Sequence, residues 1–375
     1  MKRLLASLLL CSHSVLAAVY YVEPAPVAPY SCTATQPCRV QDLPTAFSPS
    51  DSVIFLPATT GTSSTYASIS KTFAKPSVTL SAGTTFSACA IQVQHSNSLT
   101  CVGTVNLIAG SSLATATVAT VSADGCNFDN SQFIVQGASA ATFKNAAVTA
   151  LSSTRRIQLQ ASTVNVDTVA FSSGTVGAPV LSLITGNSDS TFSLNAISMN
   201  GMTTTGANSL ILVQSTNGKE IQSSGAQSPS FTNCVSGSAL IEMRVNGGGG
   251  QTAFTCDFGI ASLTATGGSV VKGIYYFNNN NNNGAISASV ELTTVTGVNL
   301  GGGNAINLNA NSGVVGVDGW STGANSFCFD NNVLNLIACT GTQANANIRL
   351  QGDTNGPTTI SGCGVTTMAN MGNSC

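Results

Sequence analysis

Charge is the scarcest property of this sequence. Of 375 residues only 12 are Lys or Arg and 14 are Asp or Glu, 7% together, against roughly 25% in an ordinary soluble chain. So few cations cannot build the basic surface that a phosphate-tracking nucleic-acid binder needs, which excludes that class of partner. Charged disordered tails are excluded on the same ground. So is a long coiled coil, which needs Glu, Lys, Leu and Arg in bulk. Aromatic residues make up 6%, and Trp320 is the single tryptophan. Histidine occurs only at His13 and His95, and no C-x-x-C hook is present. The tight Cys/His spacing of a zinc site is therefore missing, and neither a metal nor another cofactor is expected. No Asn-x-Ser/Thr acceptor for N-glycosylation occurs either.

What is present begins with an address. Lys2 and Arg3 precede the apolar run from Leu4 to Leu10, and small residues follow at Ala17 and Ala18. This is the order of a secretory signal over residues 1–17, cut after Ala17. The run is well short of the ~20 residues a membrane-spanning helix needs, and no later apolar run reaches that length. A secreted or cell-surface protein with no transmembrane segment in its mature chain is expected.

Cysteine usage agrees with export. Setting aside Cys11, eleven of the twelve cysteines remain. Close pairs suggest the bridges Cys32–Cys38, Cys89–Cys101, Cys234–Cys256, Cys328–Cys339 and Cys363–Cys375, since an oxidising compartment favours such frameworks. Cys126 is left over in that scheme, and Cys101–Cys126 is a rival that would strand Cys89.

From about Ser77 onward, short runs rich in Val, Ile, Thr and Phe alternate with Gly, Asn, Ser and Thr. These read as strands, and no long stretch carries a 3.6-residue stripe. A repeat appears in the middle of the chain. The run at Ala178 recurs at Asn208, Ser238, Ser269 and Asn304, at offsets of about 30, 30, 31 and 35 residues. A strand-rich period of this size means a solenoid. Two or three strands per ~30 residues suit one coil of a parallel β-helix better than a propeller blade. Stacked ~4.8 Å apart, roughly ten coils between Ser77 and Cys363 would give a rod on the order of 50 Å long.

The repeat predicts a register. Leu181, Ile211, Ile241 and Val271 form one inward ladder, and Leu183, Val213, Met243 and Gly273 its neighbour. Ser182, Leu212, Glu242 and Lys272 stack outside, with Glu242 over Lys272 as an opposite-charge pair. A slip of one residue would invert every face. The run Asn278 to Asn283 reads as a protruding loop or a stacked asparagine ladder.

The opening of the mature chain carries motifs as well. Tyr20-Tyr21-Val22, then Cys32 and Cys38 within SCTATQPCRVQDLPTAF, then the strand from Asp51 to Pro57 and finally Tyr66 resemble the start of secreted right-handed parallel β-helix proteins of the pectin-lyase-like group. That resemblance implies an N-terminal strand, a Cys–Pro–Cys capping loop, a short helix near Val40 to Ala46 and a first coil. Within the group the chain is similar to repeats of the polymorphic outer-membrane-protein type, through Phe192-Ser-Leu-Asn195, Phe277-Asn-Asn-Asn280, Phe329-Asp-Asn-Asn332 and Gly284-Ala-Ile. Those proteins end in a membrane barrel with a terminal aromatic, whereas this chain ends Met371-Gly-Asn-Ser-Cys375, and no barrel is expected. The expected organisation is an all-β right-handed parallel β-helix, with a signal over 1–17, a cap and first coil over 18–76, and the helix over 77–375.

Chemistry-bearing residues are sparse. A hydrolase needs paired carboxylates, and a lyase needs a cationic base beside calcium-holding acids. Asp124 and Asp129 flank Gly125-Cys126-Asn127 and suit a corner. Arg155 and Arg156 are adjacent and, on a strand, would point to opposite faces. The pectinolytic group's own motifs are absent. No catalytic residue is expected, and the reading is a non-catalytic adhesin, structural or glycan-binding rod whose partner is an extracellular polysaccharide or a cell-surface protein. The outward apolar positions Val180, Leu210, Leu212, Leu240 and Ile274 suggest a lateral patch. A polysaccharide lyase or hydrolase is the alternative. Ice binding by threonine rows, invited by Thr203 to Thr205 and Thr293-Thr294-Val-Thr296, is the second.

Overall fold

The computed structural model describes residues 17–246, apart from 27–30, 60–63, 187, 217–218 and 226. Beyond 246 it describes strand segments between Cys256 and Asn370, with the turn at 267–268. The signal (1–16), Cys11 and residues 279–283 of the asparagine run lie outside the described residues.

Strands form where small and β-branched residues alternate with apolar ones, and the strands pair in parallel along the whole stack. The fold is a parallel β-helix solenoid. Each coil contributes to three sheets, termed faces A, B and C. On face A the inward rungs Val53, Val78, Leu99, Val121, Ala141, Val164 and Phe192 lie in register. On face B the rungs are Tyr66, Phe86, Leu107, Phe128, Val148, Phe171, Met199, Phe231 and Ala265. Face C stacks Ile91, Leu113, Phe133, Ile157, Leu181, Ile211 and Ile241.

The corners between faces are columns of residues in the left-handed backbone region. Lys75, His95, Thr117 and Gly137 turn face C into face A. Gly103, Gly125, Asn145, Thr168 and Ala196 turn A into B, and Ser68, Ala88, Ala109, Asn130, Ala150, Ser173, Gly201 and Asn233 leave B. Gly125 is held by packing as well as by φ, because a Cβ there would lie 2.6 Å from the carbonyl oxygen of Gly103. A single strand such as Gln132–Ser153 thus bends through successive corners without losing its ladder.

The few aromatic rings sit inside. Tyr66 stacks on Phe86 at 4.9 Å, and Phe128, Phe133 and Phe143 meet at 5.5 to 5.9 Å. On face B a ring recurs between aliphatic neighbours, so large and small rungs interdigitate.

The first turn of the stack is sealed. The strand Val19–Val22 pairs with Ser52–Phe55. Across its outer edge the Tyr21 N–H donates to the Cys32 carbonyl at 2.9 Å, and the Cys38 N–H donates to the Tyr21 carbonyl at 2.9 Å. The Cys32–Cys38 disulfide closes this loop. The Tyr66 hydroxyl reaches the carbonyls of Val22 and Leu56 at 2.6 and 2.7 Å. The helix expected near 40–46 is one 3-10 turn, Val40–Asp42, in which the Asp42 carboxylate accepts the Arg39 N–H at 3.2 Å.

Three expectations need correction. The ~30-residue period holds from Leu181 to Ile241. Earlier coils on face A are 20 to 25 residues long, because their corners are single residues rather than loops. The rung of Ile241 continues to Ile274, not Val271, and that of Met243 to Tyr276, not Gly273, because the pairing shifts between Ser236 and Ala239. That shift places Tyr275 beside Glu242 and Lys272 beside Ala239 in register. Glu242 pairs instead with Arg244 of its own strand, whose Nε donates at 2.8 Å. The lateral apolar patch does not exist as expected. Val180, Leu210 and Leu240 are 0, 0 and 1% exposed and belong to the core cluster, Leu212 is 7% exposed, and Ile274 shares the rung of Ile241. Ser182 and Glu242 are buried as well. The outer side of face C is therefore not a solvated surface in this stretch, and its strands read Leu-Ile-Leu-Val as doubly buried parallel strands do.

Candidate functional surface

The ionisable residues do not converge. Asp124 closes face A and Asp129 closes face B, so the two belong to different sheets. Each serves a corner, as its sequence position suggests. The Asp124 carboxylate accepts Asn145 Nδ2 at 2.7 Å and lies 3.3 Å from Lys144 Nζ. The hydrogen bond from Asn145, followed by Lys144, holds its pKa below the ordinary 3.8. Asp129 accepts the Thr149 hydroxyl at 2.9 Å, and Asp167 accepts Asn195 Nδ2 at 2.9 Å. Asn127 bridges Asn106 and the Ala147 N–H, so the outer side of face B satisfies much of its polarity internally. Arg155 and Arg156 do not lie on a strand. They form the corner before Ile157, where Arg156 Nε donates to Gln158 at 3.0 Å. His95 is an exposed corner residue lining a shallow depression of about 400 Å³. Among the described residues no three His, Cys, Asp or Glu side chains gather to hold a metal, and no helix is long and apolar enough to cross a membrane.

The cysteines pair by coil geometry. Cys101 bonds to Cys126, one coil on, while Cys89 and Cys234 are buried free thiols. The expected Cys89–Cys101 bridge is therefore replaced by its rival, because residues half a coil apart occupy different sides of the rod. The Cys234–Cys256 bridge is likewise not formed: Cys256 lies in register with Ile221 on face A, and Cys234 sits at the corner leaving face B. Burial pushes both free thiols up in pKa. The side chains of Cys328 and Cys339, and all of Cys363 and Cys375, lie outside the described residues.

Face A presents a different kind of exterior. Outward from its rungs run two columns. The first is Ser77, Ser98, Thr120, Ala140, Thr163 and Thr191; the second is Thr79, Thr100, Ser122, Thr142, Asn165 and Ser193. All are at least partly exposed. None carries charge or an aromatic ring. No side-chain hydrogen bond forms from these hydroxyls to any described residue. Neighbouring rungs are ~4.8 Å apart along the rod, and alternate residues on one strand ~6.7 Å apart across it. The result is a two-column grid of unpaired hydroxyls on a rigid backing. Sequence reading missed it because the coils there are shorter than the ~30-residue period. The signal was the pairs Ser77-Val-Thr79, Ser98-Leu-Thr100, Thr120-Val-Ser122 and Thr191-Phe-Ser193.

The threonines singled out by sequence lie elsewhere. Thr204 is buried and donates to the Asn208 carbonyl at 2.6 Å. Thr294 and Thr296 continue the face B register of Thr264 and Thr266. No protein-family model matches this chain, and comparison with curated proteins and with solved structures returns no match.

Proposed function

We propose that this protein is a non-catalytic extracellular rod, of the secreted or cell-surface kind, that binds laterally to an extended, uncharged surface. The observation that carries the reading is the face A grid. Its twelve outward positions over six coils are held in fixed register, and their hydroxyls are left unpaired within the fold. Elsewhere the rod pairs exposed polar groups with one another, as at Asp124, Asp129 and Asp167. Many weak, identical contacts repeated along a rigid ladder suit avidity on a periodic partner rather than capture of a small molecule. The secretory opening of the sequence and its resemblance to pectin-lyase-like proteins support an extracellular setting.

The test is co-sedimentation of the mature protein with a panel of insoluble solids, including neutral polysaccharides and ice, beside an ultraviolet assay for unsaturated uronate products. Binding by the parent, lost on Thr100→Tyr with Thr142→Tyr, is expected. Release of unsaturated product, or equal binding by parent and variant to every solid, overturns the reading.

A further inference from the structure

We infer that the ligand of face A is crystalline water, an inference that rests on the lateral-binding reading above. The columns are short side chains, chiefly Ser and Thr, fixed on a parallel ladder from Ser77 to Thr191 in one and from Thr79 to Ser193 in the other. Threonine is stiff at χ1, so its hydroxyl and methyl keep their places. Five intervals of ~4.8 Å give a grid roughly 24 Å long. A partner must therefore offer hydrogen-bonding groups repeating at sub-nanometre intervals in two directions, without charge.

Two partner chemistries meet part of that description, and face A separates them. Sugar rings are gripped by aromatic rings that stack on their apolar faces, and no aromatic lies in either column. A charged glycan would need cations, and none of the twelve positions supplies one. Water needs only hydrogen-bonding groups at fixed sites with apolar ground between them, which the threonine methyls provide. Waters already held on rigid hydroxyls lose little by ordering further. Ala140 and Asn165 interrupt the hydroxyl pattern without adding charge.

Ice-affinity partition tests this. An ice hemisphere is grown slowly in a solution of the fluorescently labelled mature protein, and the incorporated fraction is measured beside an inert labelled protein. The parent should enter the ice, and Thr100→Tyr with Thr142→Tyr should lose incorporation to the level of the inert control. Gln158→Tyr, on the outer side of face C, should enter like the parent. Circular dichroism melts show whether each variant is folded. A parent excluded from ice, or a folded face A variant that still enters, overturns the assignment. Binding of the parent to a neutral polysaccharide through face A without entry into ice overturns it too, while leaving the lateral rod intact.

Discussion

At the scale of single residues, the corners do the most to make the rod and store its largest local costs. Asn130, Asn145 and Asn233 and the corner glycines hold positive φ with little penalty. Ala88, Ala109, Ala150 and Ala196 hold it against a cost of about 1–2 kcal/mol each. Ala109→Gly should therefore raise stability in urea titration by roughly 0.5–1 kcal/mol, once the larger entropy of an unfolded glycine is subtracted. Gly125→Ala should lower it, since its Cβ has no room beneath Gly103. The free thiols give a second test. Cys89 and Cys234 are buried and their pKa values are raised by that burial. Peptide mapping should find both unalkylated by iodoacetamide in the native protein and alkylated after denaturation. A third concerns Asp124, whose native pKa is lowered chiefly by Asn145. A depressed carboxylate stabilises the fold above its unfolded value near 3.8 and ceases to do so as the pH falls through its lower native value. The difference in unfolding midpoint between the parent and Asp124→Asn should therefore be small near neutrality, as for exposed pairs, and vanish in acid.

At the scale of elements, inward and outward positions on one strand should differ sharply. Phe133 is buried against Phe128 and Phe143, so Phe133→Ala should cost about 3–5 kcal/mol. Ser122, outward on face A, should accept Asp with little loss of midpoint in the same titration. Ser182 occupies an equally alternate place on its strand, yet is 3% exposed, so Ser182→Asp would bury a charge. This contrast marks what was legible in the sequence. Leu181, Ile211 and Ile241 showed their shared rung because apolar residues recur there at one constant spacing. Val121 and Ala141 did not, because coils with one-residue corners vary between 20 and 25 residues and no fixed offset aligns them. Strand alternation told which side chains face the interior, but not that the far side of face C is covered. The ladder beyond Ile241 was lost at a pairing shift that leaves no mark in composition. Cysteine proximity succeeded at Cys32–Cys38, in a loop outside the stack, and failed at Cys89, inside it.

At the scale of the whole molecule, the scarcity of charge has a direct meaning. A stack whose coils are joined by backbone ladders and filled with Val, Leu and Phe needs little electrostatic support. The ion pairs among the described residues are Lys144–Asp124 and Arg244–Glu242. The thermal midpoint should be nearly unchanged between low salt and ~1 M NaCl, where screening acts beyond about 3 Å. A large fall in calorimetric midpoint across that range would mean that charge holds the rod together after all. The sealed turn at the amino end carries a last consequence. Because the earliest residues finish one terminus of the stack, every later coil meets a ready template as the chain emerges. Assembly then runs one way, and each added coil makes backward sliding costlier. For an exported chain, winding itself would pull the polypeptide outward.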